Sequence, residues 1–200
     1  ISSKIKMLFN YLNKCDSILI GGAMAFTLLK SKNINVGASL VENGMIGEAK
    51  KILETAKILE VDIILPTDVV CSKSIDDPNI EIKSIELMKD DDIGFDIGPE
   101  TTMIFSEYIS KSKKVIWNGP MGLFENFNFA TGSTSIANLI KELTINNNLK
   151  SIIGGGDTVR AIELTENIDS FTHVSTGGGA SLKLLSGEKL ELTKSWSSYE

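Results

Sequence analysis

Short apolar runs that break into glycine and restart as helix recur along this chain, and that rhythm restricts its fold more than any other feature. Ser17–Ile20 ends in Gly21-Gly22 ahead of the helical pattern Ala23–Leu29. Val115–Trp117 breaks at Asn118-Gly119-Pro120-Met121-Gly122, with a helix expected from about Ser133. Lys150–Ile153 ends in Gly154-Gly155-Gly156, and Asp157-Thr158 then opens a helical stretch through Leu164. Thr172–Ser175 ends in Thr176-Gly177-Gly178-Gly179, ahead of a helix over Ala180–Leu185. One glycine turn is routine, because strand-to-helix corners often need a positive φ. Four on one edge, two of them triple glycines, fit a backbone that must approach a phosphorylated ligand closely.

Strand, glycine and helix in repeating order imply an α/β chain: a Rossmann-like parallel sheet flanked by helices, in three α/β/α layers with right-handed crossovers. Ligands in such sheets bind at the carboxyl ends of the strands, where the breaks fall. The stretch from Ser151 to Thr158 is the most specific. A strand that turns through three glycines into a helix points unpaired N–H groups at one spot, which suits a phosphate. Asp157 would repel that phosphate unless a divalent cation sits between them, as Mg²⁺ does when it accompanies a nucleotide. The alternative is an N-cap aspartate after a tight turn.

Charge narrows the field. The 200 residues carry 26 acidic and 20 basic side chains, a formal −6, with no basic footprint for nucleic acid. An anion must therefore be held by local geometry. With 42% hydrophobic residues the chain can bury the core of one domain. Cys15 and Cys71 lie far apart in apolar surroundings without metal-ligand spacing, which points to a reducing compartment. No run approaches the length of a membrane span and no signal-peptide layout opens the chain, so a cytoplasmic protein is expected. Ile1 leads straight into a helical pattern, as in a chain cut from a longer one.

The intervening stretches read more plainly. Ile5, Leu8, Phe9 and Leu12 share a helix face, as do Ile46, Ala49, Leu53 and Ala56. Val61–Leu65 reads as a strand and Val69–Cys71 as extended chain. From Ser72 to Asp92 the pattern is polar and acidic, and Asp90-Asp91-Asp92 reads as a solvated turn. Gly94–Glu100 reads as a break, with Thr101 capping the helix that carries Ile104, Phe105, Tyr108 and Ile109. His173, the one histidine, is expected to pack in the core or behind the residues of the site. Neither Gly-x-x-x-x-Gly-Lys-[Ser/Thr] nor Gly-x-Gly-x-x-Gly after a strand occurs, which excludes an ordinary P-loop and argues against a dinucleotide site.

Four stretches together resemble one family. Gly21-Gly22-Ala23-Met24-Ala25-Phe26, Trp117–Glu125, Gly154-Gly155-Gly156-Asp157-Thr158 and His173–Ser181 look like the C-terminal, nucleotide-binding domain of phosphoglycerate kinase, in order and with fitting spacing. The resemblance runs over residues 1–190 and leaves 191–200 as an unassigned tail. It implies that Glu125 holds the ribose hydroxyls and that Asp157 ligates the Mg²⁺ carried by ATP or ADP. It implies phosphate contacts from Thr158, the amides of Gly155 and Gly156, Asn118 and Lys4. Gly21, Gly22, Ala23, Gly94, Phe95, Pro120 and Leu123 would wall the adenine. Gly177, Gly178 and Gly179 would face the phosphoryl group in flight, stabilising charge on its equatorial oxygens. Plainer roles stand beside these: Lys4 as a solvated helix lysine, Phe95 and Leu123 as core, Glu125 as a cap.

Departures from the family pattern carry their own expectations. The family's N-terminal domain, which binds 3-phosphoglycerate, has no counterpart in these residues, nor does the strand ending in Gly-Gly-Ala-Lys that normally comes just before the position of Ile1. By analogy that strand lies well inside the sheet, so fold and chemistry both depend on it. Ser3 stands where many members have Asp, and Pro-Gly does not follow Leu190. Two functions are therefore open. One is the nucleotide lobe of an enzyme, monomeric at full length, that moves a phosphoryl group between 1,3-bisphosphoglycerate and ADP. The other is a nucleotide-binding module without transfer activity.

Overall fold

The computed structural model describes residues 2–165 and 168–176. Helix α1 (Ser2–Tyr11) leads to β1 (Ser17–Leu19), α2 (Gly22–Ser31), α3 (Ile46–Ile58) and β2 (Asp62–Ile64). β1 and β2 pair in parallel, Ile18 opposite Ile63. The amphipathic spacing of Ile5, Leu8 and Leu12 seats α1 in a core with Leu28 of α2 and Ala49 and Ile52 of α3.

The second parallel unit is formed by β6 (Lys114–Asn118), β7 (Lys150–Gly154) and β8 (His173–Ser175), in the order β6-β7-β8. Its register sets Trp117 against Ile153 and Ile153 against Val174. Helix α4 (Pro99–Lys111) precedes β6, α5 (Thr131–Ile145) joins β6 to β7, and α6 (Gly156–Glu163) follows β7. Phe105, Ile109, Trp117, Ile136, Ile140 and Ile153 make the core of this half. The α/β class with parallel sheets flanked by helices is as the sequence implies.

Between the two parallel units lies an antiparallel sheet that the glycine rhythm conceals. β3 (Asp68–Ser72) pairs with both β4 (Glu81–Ser84) and β5 (Ile93–Ile97), with an irregularity between Val70 and Cys71. The expected break at Gly94 is thus a strand. Gly94 is required there because a Cβ would overlap the Phe26 ring. The acidic run is not simply a solvated turn either, since Asp92 is 1% exposed while Asp90 and Asp91 face water. Lys73 and Lys83 donate to Asp92 at 2.6 and 3.0 Å, and the Lys89 N–H donates at 2.7 Å. Burial alone would raise the Asp92 carboxyl, but these three donors outweigh it and hold it well below the usual carboxylate range. His173 is exposed on β8, contrary to the core reading.

Thr101 does not cap its own helix. The N-cap of α4 is Gly98, with Pro99 at the first helical position, and the capping oxygens come from Asp68 of β3. The N–H groups of Glu100 and Thr101 donate to Asp68 Oδ2 and Oδ1 at 3.0 and 2.7 Å, and a Cβ on Gly98 would collide with that carboxylate. Thr101 Oγ1 accepts the Thr67 and Asp68 amides at 3.0 and 3.1 Å. This knot ties the antiparallel sheet to the second parallel unit.

Among the described residues β1 and β6 do not hydrogen-bond to each other. A cavity of about 1240 Å³ separates Ser17–Ile20 from Lys114–Asn118 along their length. The two units meet at the carboxyl ends, where the Gly22 N–H donates to the Met121 carbonyl at 2.8 Å. Asp68→Ala removes the acceptor of two helix amides and is expected to lower stability by about 2–4 kcal/mol. Urea unfolding checks it, and the loss should exceed that of Asp90→Ala on the exposed turn.

Candidate functional site

Two glycine turns, after β6 and after β7, meet beside the end of β8. β7 finishes at Gly154, Gly155 turns at φ +98°, and α6 begins at Gly156. Only glycine adopts that φ without strain. The Gly155 N–H donates to the Ser175 carbonyl of β8 at 3.1 Å. The Gly154 carbonyl accepts from Asn118 Nδ2 at 2.7 Å and from Thr158 Oγ1 at 2.8 Å, while the Gly119 N–H donates to Thr158 Oγ1 at 2.7 Å. Gly119 itself turns at φ +99°, and its carbonyl accepts the Trp117 indole N–H at 2.7 Å.

These bonds change what two expected phosphate contacts do. Thr158 is fully buried, and its hydroxyl both donates and accepts within the protein. Asn118 commits an amide proton to the same carbonyl. In this arrangement the two side chains bolt the β6 and β7 turns together. What α6 offers to a ligand is the backbone N–H groups of its first turn, Gly156, Asp157 and Thr158. Lys4 is exposed, and its ammonium lies 3.0 Å from where a Gly119 Cβ would stand, so α1 delivers a cation to this turn.

The remaining candidates line the mouth of the large cavity. Gly21, Gly22, Ala23, Gly94, Phe95, Pro120, Leu123 and Glu125 border it, together with Lys4 and Asn118. Phe95 stacks on Phe129 with ring centroids 4.7 Å apart, and its carbonyl accepts the Leu123 N–H at 2.8 Å. A single small-molecule pocket occupies roughly 300–1,000 Å³. At about 1240 Å³ this cavity exceeds that range and has two parts: the mouth among the glycine turns and the slot between β1 and β6. Gly155, Gly156, Asp157 and Thr158 stand beside the mouth and are joined to it through Asn118 and Gly119. Gly177, Gly178 and Gly179, the helix expected after them and the 191–200 tail lie outside the described residues.

Sequence reasoning passed over Arg160. It lies one turn after Asp157 on α6, and its Nη2 donates to Asp157 Oδ1 at 2.6 Å. The same guanidinium is 4.0 Å from Glu125 Oε1 and 5.8 Å from the centre of the Phe124 ring. The i, i+3 spacing was the available signal; the reach to Glu125 was not. Among the described residues no three acidic, His or Cys side chains form a metal cage. One exposed carboxylate beside helix amides fits Mg²⁺ brought in by phosphates, since that ion keeps its waters and takes few protein ligands.

Asp96 underlies the mouth. Its Oδ2 accepts the Gly132 N–H at the start of α5 at 2.7 Å, and Oδ1 accepts the Ile97 N–H at 2.9 Å. A Cβ on Gly122 or Gly132 would collide with it. Burial pushes its carboxyl up to about 7, against the pull of those two amides.

The fold and site define an open α/β protein with glycine turns and a helix N-terminus gathered at the carboxyl ends of parallel strands. The family model described as phosphoglycerate kinase matches residues 1–188. The phosphoglycerate kinases of Chloroherpeton thalassium and Finegoldia magna are each 48% identical to it, over 191 and 192 residues; the matches take in 95% of this chain and 48% and 47% of those proteins. The solved phosphoglycerate kinase of Coxiella burnetii superposes with a TM-score of 0.88 at 34% identity, covering 94% of this chain and 47% of that one. That from Pyrococcus horikoshii gives 0.72 at 26% identity, over 97% and 48%. The chain belongs to the phosphoglycerate kinase family. It spans about half the length of the relatives it matches.

The Asp96 environment predicts a pH dependence. Its folded pKa lies above the unfolded value, so its stabilising contribution is full below about pH 4 and is lost as pH rises through about 7. Relative to Asp96→Asn, the unaltered chain should lose stability between pH 5 and pH 8, as read by urea unfolding at each pH.

Proposed function

We propose that residues 1–190 are the nucleotide-binding half of a phosphoglycerate kinase, which transfers a phosphoryl group between 1,3-bisphosphoglycerate and ADP. The observation that carries this reading is the convergence of the candidate residues on one cavity mouth beside the first turn of α6. In this reading Gly21, Gly22, Ala23, Gly94, Phe95, Pro120 and Leu123 form the walls against the adenine. Glu125, exposed at the rim, accepts the ribose hydroxyls. The amides of Gly155 and Gly156 and the first turn of α6 receive phosphate oxygens, with Lys4 over the Gly119 turn as a counter-charge. Asp157 holds the magnesium that accompanies ATP or ADP, which supplies charge neutralisation at the phosphates. Thr158 and Asn118 fix the spacing of the two turns, and Gly177, Gly178 and Gly179 face the transferring group.

The slot supports the same reading. β1 and β6, each paired in parallel on its other side, both border it without bonding each other among the described residues, which leaves room for one further strand. The family places a Gly-Gly-Ala-Lys strand just ahead of the position of Ile1, and its lysine would arrive at the mouth. The acceptor, 3-phosphoglycerate, would be held by the family's N-terminal domain, in a cytoplasmic enzyme that is monomeric at full length.

Without that domain the 200 residues are expected to bind Mg-ADP and to show no turnover, because the reacting oxygens are held in line only when both substrates are positioned. A coupled assay checks it, and supplying the N-terminal half should restore activity. Turnover by the chain alone that disappears in Asp157→Ala would place the acceptor site within these residues. A chain that binds ADP yet stays silent with the other half supplied is a binding module. At Glu125, the Gln variant should weaken ADP by about 1–2 kcal/mol, and 2′,3′-dideoxy-ADP should lose similarly on the unaltered chain. The two losses should not add in calorimetry; full additivity contradicts the ribose role.

A further inference from the structure

The Arg160 guanidinium is shared by the two carboxylates that the nucleotide reading needs. It is bonded to Asp157 at 2.6 Å, lies 4.0 Å from Glu125 and rests over Phe124 at 5.8 Å. Phe124 is itself buried, against Ala130 and Ala161, so the ring fixes the height of the cation. All three charged side chains are at least half exposed, which leaves the group accessible to a ligand entering the mouth.

A phosphate arriving at the first turn of α6 meets Asp157, whose charge opposes it. Arg160 offsets that charge through its bond to Asp157. A divalent cation carried by the nucleotide offsets it too, and competes with Arg160 for the same carboxylate. The two cations are alternatives. We propose that Arg160 is a positioning residue that acts as a built-in counter-ion for Asp157, so that this site accepts a nucleoside diphosphate without its metal and gains less from magnesium than Asp157 alone would give. The inference rests on the nucleotide reading above. Lys4 does not duplicate the role, since it lies over the Gly119 turn. When magnesium takes Asp157, the guanidinium is left with Glu125 and can turn to it.

The test is calorimetry of ADP binding with excess EDTA and with excess Mg²⁺, on the unaltered chain and on Arg160→Ala and Arg160→Lys. Magnesium should strengthen ADP binding to Arg160→Ala at least fivefold more than it does for the unaltered chain, chiefly because the metal-free affinity falls. Arg160→Lys should recover much of the difference. Adenosine, which has no phosphate, should bind all three alike. In an Asp157→Asn background the Ala change at 160 should no longer lower metal-free affinity, and this arm separates charge compensation from loss of packing on Phe124. A magnesium effect within twofold of the unaltered chain, while ADP still binds, overturns the proposal. So does an equal loss of ADP and adenosine. Failure of the unaltered chain to bind ADP in either buffer overturns the nucleotide reading itself.

Discussion

The Gly154 carbonyl is the point on which the site depends. It has two lone pairs, and both are taken: one by the Asn118 amide from the end of β6, the other by the Thr158 hydroxyl from the first turn of α6. Thr158 then receives the Gly119 N–H, so the β6 turn, the β7 turn and α6 are closed into one bonded unit. Neither Gly119 nor Gly155 can hold its positive φ cheaply with a side chain, and the bonds hold the backbone there. Binding residues on loops are usually mobile. Here the loops borrow the rigidity of the parallel strands, and the amides of α6 are aimed before any ligand arrives.

What the sequence made legible follows from periodicity and glycine. The parallel strands read as short apolar runs, and the helices between them keep a 3.6-residue stripe, so the described elements of both parallel units stand near their expected bounds. The antiparallel sheet escaped because its strands break those rules for tertiary reasons. β5 carries Gly94 for the sake of the Phe26 ring and a buried Asp96 that serves the start of α5. Neither partner is near in sequence. Asp92 shows the same limit: it is buried where Asp90 and Asp91 are exposed, and it meets Lys83 from β4, while Lys73, just after β3, is shared with Asp91. Arg160 was visible as a neighbour of Asp157, while its approach to Glu125 depends on how the loop after β6 folds back.

The large cavity bears on how the halves cooperate. β1 and β6 both border it, and the chain links them at their carboxyl ends, where the Gly22 N–H donates to the Met121 carbonyl. Gly21 packs there against Met121, whose sulfur lies 2.7 Å from where a Cβ would stand. The cavity mouth is therefore made at a place where the two parallel units meet, and its walls come from both. A segment entering the slot would pair with strands of each unit and fix the spacing of those walls. In the proposed reading, completing the sheet and shaping the mouth would then be one event, and binding at the mouth would depend on what fills the slot.

Electrostatics decide what the mouth can accept. The chain carries a formal −6, so its overall field disfavours anions. Around the glycine turns the balance differs: Glu125 and Asp157 are matched by Arg160 and Lys4. With side-chain charges near cancellation, the sign of the local potential is left to oriented backbone. The first turn of α6 contributes a partial positive charge and unpaired N–H groups aimed outward. A trianionic ligand is then favoured by dipoles that act over a few ångströms and repelled by a field that salt screens over about 8–10 Å. Raising ionic strength should weaken the repulsion more than the attraction. In the proposed reading, phosphate binding by an acidic protein would rely on that ordering of ranges, and the bonded turn at Gly154 keeps the α6 amides in place.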